Sequence, residues 1–323
     1  MIGALPYKTK QFFFVLIKLS IVTGAFYFIY HKLTKNPDLN FNAFIHFLTK
    51  SRIFSLKYLI FLLFLTIFNW FFEILKWRYL VYSVKKISFK DALEQSLGAL
   101  TASLFTPNRI GEYGAKAIYF LPVYRKRIVL LNLMGNMMQM SVTVFFGIIG
   151  LFVFVSQYAI EINYFKVASF AIVMLLIISF IGIGAKKASL TIKGISIEKI
   201  ILFIKNLPLK THIYSFSFSV FRYLIFSFQF YYLLLILGLD ISYLDAMVVI
   251  TSMYLLSSII PSIFIFDVII KGSIAVYLFS FVGVNEFIIL SIVMVMWLFN
   301  FVLPSLFGSF YVLNFNLPKN DED

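Results

Sequence analysis

The sequence predicts an all-α polytopic membrane protein, and three observations predict it. Of 323 residues, 61% are hydrophobic and only 13% charged, far too little charge to cover a soluble domain of this size. Several apolar runs exceed the ~18 residues that mark a membrane-crossing helix. Those runs are continuous rather than alternating, which disfavours a transmembrane barrel.

Six full spans are expected, at about 11–30, 57–82, 128–155, 167–185, 215–238 and 287–313. The first is long and lacks a small-x-small cleavage site behind it, so it reads as a retained helix. Between it and the second lies a polar stretch with an apolar-patterned piece, FNAFIHFL, suited to the interface. Two further regions are broken. Apolar pieces at 92–106 and 112–124 flank Pro107, and pieces at 246–260 and 262–281 flank Pro261. Each pair is expected to form a broken or re-entrant helical hairpin. Counting each hairpin once gives eight hydrophobic segments in a single transmembrane domain over 1–323.

The formal net charge is +14. The basic residues stand between apolar segments, so topology and anionic lipid account for them before nucleic acid does. Lys8 and Lys10, then Lys85, Lys86 and Lys90, then Arg125, Lys126 and Arg127, and the basic loop 186–214 all fall on one side. Asp240, Asp245 and Glu286 fall on the other. This predicts cytoplasmic N- and C-termini, although Lys32, Lys35, Lys50, Arg52 and Lys57 fall on the outer side.

The two broken regions resemble each other. ISFKDALEQSLGALTASLFTP (87–107) and ISYLDAMVVITSMYLLSSIIP (241–261) share Ile, Ser, an aromatic, Asp and Ala in order. Asp91 and Asp245 each stand 16 residues before a proline. Glu112 and Lys116 follow the first break; Asp267 and Lys271 follow the second, again four residues apart. The expectation is a duplicated unit of span, hairpin and span, at about 57–155 and 215–313, the copies inverted because they enter from opposite sides.

Chemistry-bearing residues concentrate at the breaks. Pro107 ends a helix, while Asn108 and Gly111 suit a turn. Glu112 opens the next helix, and Lys116 lies one turn later on the same face. Arg109 in the break carries a planar fork of donors that matches phosphate. Two readings stand together: a niche for an anionic headgroup, or a clamp that pins the hairpin. Asp267 and Lys271, between Pro261 and Gly272, have the same two readings. Weaker candidates are Glu73, beside Lys76 and Arg78, and Arg222, which can snorkel to the interface. Asn136, with Asn132 and Gln139 on neighbouring turns, can line a path or tie helices.

There is no cysteine, and His31, His46 and His212 stand alone in their segments. No HExxH, EF-hand, Walker A or GxGxxG pattern occurs, so no metal or cofactor is expected. No nucleophile–base set stands out, which makes an enzyme, such as a lipid-carrier transferase, the weaker reading. A non-transporting scaffold or accessory subunit is a further alternative.

TPNRIGE, with Lys116 behind it, resembles the Pro-x-Arg-x-Gly-Glu signature of the lysylphosphatidylglycerol synthase transmembrane-region family. The resemblance implies a multi-span flippase-like domain with repeated halves and re-entrant elements. It maps Arg109 and Glu112 onto the family's arginine and glutamate, and Lys116 onto a basic position. Asn108 stands where glycine is common. The second half, IPSIFIFDVIIKGS, keeps Pro261, Asp267 and Lys271 but lacks the family's Gly-rich stretch. In bifunctional members a separate soluble domain makes the lipid. Only about ten residues follow the last span here, so synthesis is not expected of this chain alone. The implied partner is an anionic lipid or lipid-linked substrate, with a separate membrane or soluble protein as a possible second partner, in a bacterial inner membrane.

Overall fold

A computed structural model of the chain describes residues 55–104, 109–158, 195–259 and 266–318, with isolated positions outside those blocks. For 195–199 and 266–270 it describes the backbone alone. The expected span at 167–185 lies outside the described residues, and that at 11–30 is described only at Leu16, Leu19, Ser20, Thr23 and Tyr27, all helical.

Four helices among the described residues are long and apolar enough to cross a membrane, so the protein is an all-α polytopic membrane protein. The first is α1 (Leu56–Tyr82). Two short helices follow, α2 (Phe89–Ser103) and α3 (Gly111–Ile118), then the long α4 (Pro122–Gln157). The basic loop is not featureless. It carries a two-residue β-pair, Thr191–Ile192 with Ile195–Ser196, and α5 (Ile197–Lys205). Next come α6 (Leu209–Ile236), α7 (Tyr243–Ile259) and α8 (Phe266–Ser280). The last span is α9 (Glu286–Trp297), a π-helical turn over Leu298–Val302, and α10 (Leu303–Asn314).

α2 has 15 residues and α3 only 8, against the ~20 that a straight crossing requires. Pro122 in the first turn of α4 lacks the amide proton that this position leaves unused. The paired sequences at 87 and 241 acquire a local cause. Ser88 and Asp91 form a reciprocal capping box at the start of α2. Ser242 donates to the Asp245 carboxylate at 2.6 Å and accepts from the Asp245 amide at 3.2 Å. Each motif satisfies amides that a helix start leaves orphaned. Replacing Ser88 or Ser242 with Ala is expected to cost about 1 kcal/mol in either case, checked by detergent unfolding of the two variants side by side.

Three pairings dominate the packing. α1 lies antiparallel against α6, with Phe61 on Tyr232, Phe72 on Phe221 and Tyr79 on Tyr214. α2 packs on α10, and α7 packs on α4. Glycine makes both of the latter crossings close. A Cβ on Gly308 would collide with the Leu97 carbonyl and Thr101, and one on Gly147 would collide with Leu255 and approach the Thr251 carbonyl to 3.2 Å. Leu97 and Thr101 stand where Thr251 and Leu255 stand in the second copy of the paired sequence. The same two positions of each short helix thus meet a glycine of a long span, Gly308 or Gly147.

Charge separates along the bundle. Lys85, Lys86 and Lys90 follow α1, and Arg125, Lys126 and Arg127 begin α4. Phe203 and Leu207 pack beside Trp77, Leu80 and Ile128, which brings Lys205 and Lys210 to this end. At the other end Gln157 reaches Asp245 at 3.1 Å, and Phe154 and Tyr158 meet Phe281, near Glu286.

One expectation changes. Gly272 does not break a helix: it is buried inside α8, where a Cβ would come 3.1 Å from Leu290. Close packing, not a turn, explains that glycine. Pro261 lies outside the described residues.

Candidate functional site

The break after α2 is held by its own side chains. Thr106 donates to the Ser103 carbonyl at 2.7 Å and accepts from the Gly111 amide at 3.0 Å. Gly111 opens α3, where a Cβ would come 2.9 Å from the Thr106 methyl. The left-handed residue is Arg109, with φ of 55°. A non-glycine residue in this region carries a backbone penalty of order 1 kcal/mol. Arg109 accepts it where its side chain turns back onto α3.

From Arg109 an ion-pair chain runs inward. Arg109 donates to Glu112 at 2.8 Å, and the other Glu112 oxygen pairs with Lys116 at 2.7 Å. Lys116 donates to the Asn132 side-chain oxygen on α4 at 2.9 Å and lies 4.3 Å over the Trp77 ring. It also approaches Glu73 at 3.8 Å. Glu73 pairs with Lys76 at 2.8 Å and with Arg222 on α6. One network therefore joins α1, α3, α4 and α6. Its core is dry: Lys76 is 2% and Lys116 1% exposed. Its ends are not, since the Arg109 side chain is 35% and that of Arg222 20% exposed.

An uncharged network continues from it. Arg222 donates to Asn69 at 3.2 Å, and Asn69 donates to Asn300 at 2.9 Å. Asn300 donates to Gln229 at 2.9 Å, and Gln229 donates to Thr66 at 3.0 Å. Asn300 belongs to the π-helical turn, and its carbonyl accepts from Trp70 at 3.1 Å. A π-turn disturbs the regular helical ladder, and Trp70 and Asn69 meet the groups presented there. Arg109 lies 5.7 Å from the ring of Phe301 in the same turn. One end of the charged network thereby lies beside the last span, and the other reaches it through Asn69.

The structure brings Arg109, Glu112, Lys116, Glu73 and Arg222 together. Glu73 and Arg222 form the centre and the far end of the network. Asn136 donates to the Tyr113 hydroxyl at 3.0 Å, and Gln139 accepts from Arg222 at 3.3 Å, so these residues tie helices. Lys271 is exposed, unlike Lys116, and the Asp267 side chain lies outside the description. The sequence reading missed Asn69, Gln229 and Asn300, and it named Lys76 and Asn132 without their partners across the bundle. Their signal was available: each is a polar residue in an otherwise apolar run, expensive unless partnered.

A helix–break–helix with Arg109, Glu112 and Lys116 behind it, folded against α1, α4 and the last span, fits the resemblance seen in the motif. Residues 15–308 match the family described as the lysylphosphatidylglycerol synthase TM region. The chain belongs to that family. Among curated proteins, none matches it. In this member of the lysylphosphatidylglycerol synthase TM-region family, the match spans both short-helix pairs and all four described spans.

Proposed function

We propose that this protein binds an anionic phospholipid or lipid-linked intermediate and moves it between leaflets. Arg109 carries the reading: a planar fork at the partly exposed end of a buried, cation-rich network, beside the apolar Ile110 and Phe301. A fork of this kind suits a phosphate. Exposed apolar neighbours suit acyl chains that stay in the bilayer. Family membership supports lipid handling.

The proposed movement uses two inverted halves, about 57–155 and 215–313. The reciprocal packing of α2 on α10 and α7 on α4, in which a glycine meets the same two positions of each short helix, supports a two-fold arrangement. The short α2–α3 and α7–α8 pairs then serve as re-entrant hairpins. Sliding of one half against the other changes the side from which Arg109 is reached. The gathering of basic residues at one end supports a cytoplasmic location for that end in a bacterial inner membrane, with both termini inside.

The test is movement of headgroup-labelled phosphatidylglycerol in proteoliposomes. Arg109→Gln, in protein that elutes as folded, is expected to slow movement by about 10- to 100-fold, the worth of a charge-assisted contact. A second reading has its own observation: Glu112 bridges Arg109 and Lys116, as a clamp would. Unchanged movement in folded Arg109→Gln protein would favour the clamp and remove Arg109 from the path.

A further inference from the structure

From the charge count of the buried network, we infer that its ligand is a dianionic phosphate, a phosphomonoester or pyrophosphate group, rather than a singly charged phosphodiester. The inference rests on the proposed lipid-binding role of Arg109 and specifies the substrate class. Among the described residues the network contains four cations, Lys76, Arg109, Lys116 and Arg222, and two carboxylates, Glu73 and Glu112. Both carboxylates are shared. Glu112 lies between Arg109 and Lys116, and Glu73 between Lys76, Lys116 and Arg222. Two positive charges are left over in a network whose middle is buried and whose ends are only partly exposed, where uncompensated charge is costly.

The unused hydrogen-bonding capacity has the same sign. Asn132, 2% exposed, gives its oxygen to Lys116 while its amide nitrogen has no partner among the described residues. The Arg109 Nε is likewise buried and without one. Both are donors, and both flank the Glu112–Lys116 pair. A group rich in acceptor oxygens with two negative charges meets both demands. A phosphodiester supplies one charge. Ile110 and Ile118, exposed at 63% and 39% on either side of α3's ends, favour a lipid-borne phosphate over the free ion.

The experiment is equilibrium binding of radiolabelled lipid to the purified full-length protein in neutral detergent, at a pH of about 8, above the second ionisation of a phosphomonoester near 6. Phosphatidic acid is compared with phosphatidylmethanol of identical acyl chains, which differs by one methyl group and one charge. Inorganic phosphate is the competitor that separates a lipid headgroup from the free ion. The expected result is binding of phosphatidic acid at least about ten-fold tighter than phosphatidylmethanol, with weak competition by inorganic phosphate. Asn132→Asp removes one surplus charge in nearly the same shape and is expected to abolish the preference. Asn132→Leu removes the amide without changing charge and is expected to keep it.

Equal binding of the two lipids by the wild type overturns the dianion inference and leaves the lipid-binding role standing. A full preference retained in Asn132→Asp overturns the charge-count argument. Binding of neither lipid, with or without uptake of labelled inorganic phosphate, overturns the lipid-binding role itself. The Asn132→Leu control keeps the result interpretable if Asn132→Asp fails to fold: loss of the preference there, with charge unchanged, also overturns the inference.

Discussion

Replacing Glu73 with Ala is expected to destabilise the protein by about 3–5 kcal/mol, the largest single-site effect in the molecule. Glu73 sits within 4 Å of three cations, Lys76 at 2.8 Å, Lys116 at 3.8 Å and Arg222. Without it Lys76 loses its carboxylate partner while remaining 2% exposed. The cost is that of stranding buried charge, not of losing one attractive pair. The measurement is detergent unfolding monitored by size-exclusion chromatography and circular dichroism. A second substitution separates the causes. Lys76→Met in the Glu73→Ala background removes one stranded ammonium and is expected to restore part of the lost stability. No restoration would mean that Glu73 acts through packing rather than charge.

The second large effect is expected at Gly308. Gly308→Val places a branched side chain against the Leu97 carbonyl and Thr101 across the α2–α10 crossing. Backbone cannot yield as a side chain can, so overpacking should cost about 1–3 kcal/mol or more. Thr101 loses ground too, because its hydroxyl donates to the Ser305 carbonyl at 2.9 Å across this interface. The counterpart Gly147→Val, at the α7–α4 crossing, meets the Leu255 side chain before the Thr251 carbonyl at 3.2 Å and should cost less. Gly114→Ala provides the contrast. Nothing lies within 4 Å of its Cβ, and relief of glycine's helical penalty should stabilise the chain by about 0.5–1 kcal/mol. A uniform response at all three positions would argue against close helix crossings as the organising contacts.

Residue chemistry alone marked Arg109, Glu112 and Lys116, because a proline, turn formers and spaced charges interrupted an apolar chain. Two of the four described spans, α1 and the last, fell within a residue of their expected ends for the same reason: hydrophobic length is a local property. The other two each begin six residues earlier than expected, α4 at Pro122 rather than 128 and α6 at Leu209 rather than 215, because each helix continues into what composition marked as a polar connection. The Ser-x-x-Asp motifs at Ser88 and Ser242 were legible as a repeat, though not as paired helix caps.

The partners across the bundle were not legible. Glu73 and Lys116 are 43 residues apart, and Asn69 and Asn300 are separated by 231. Spacing along a helix places residues on a shared face but leaves open what that face meets. Lys76, Arg222 and Asn300 are each a polar or charged cost in a greasy segment. Packing turned those costs into one network.

What the sequence determined by itself was local: the apolar lengths, the helix starts, the break before Arg109 and the surplus of basic residues. Only the tertiary structure decided which helices cross at glycine, that Glu73 is central, and that four cations share two carboxylates. The physical reason is range. Helix formation and capping are settled within a few residues, whereas the stability of a buried charge depends on neighbours that the chain supplies from distant segments.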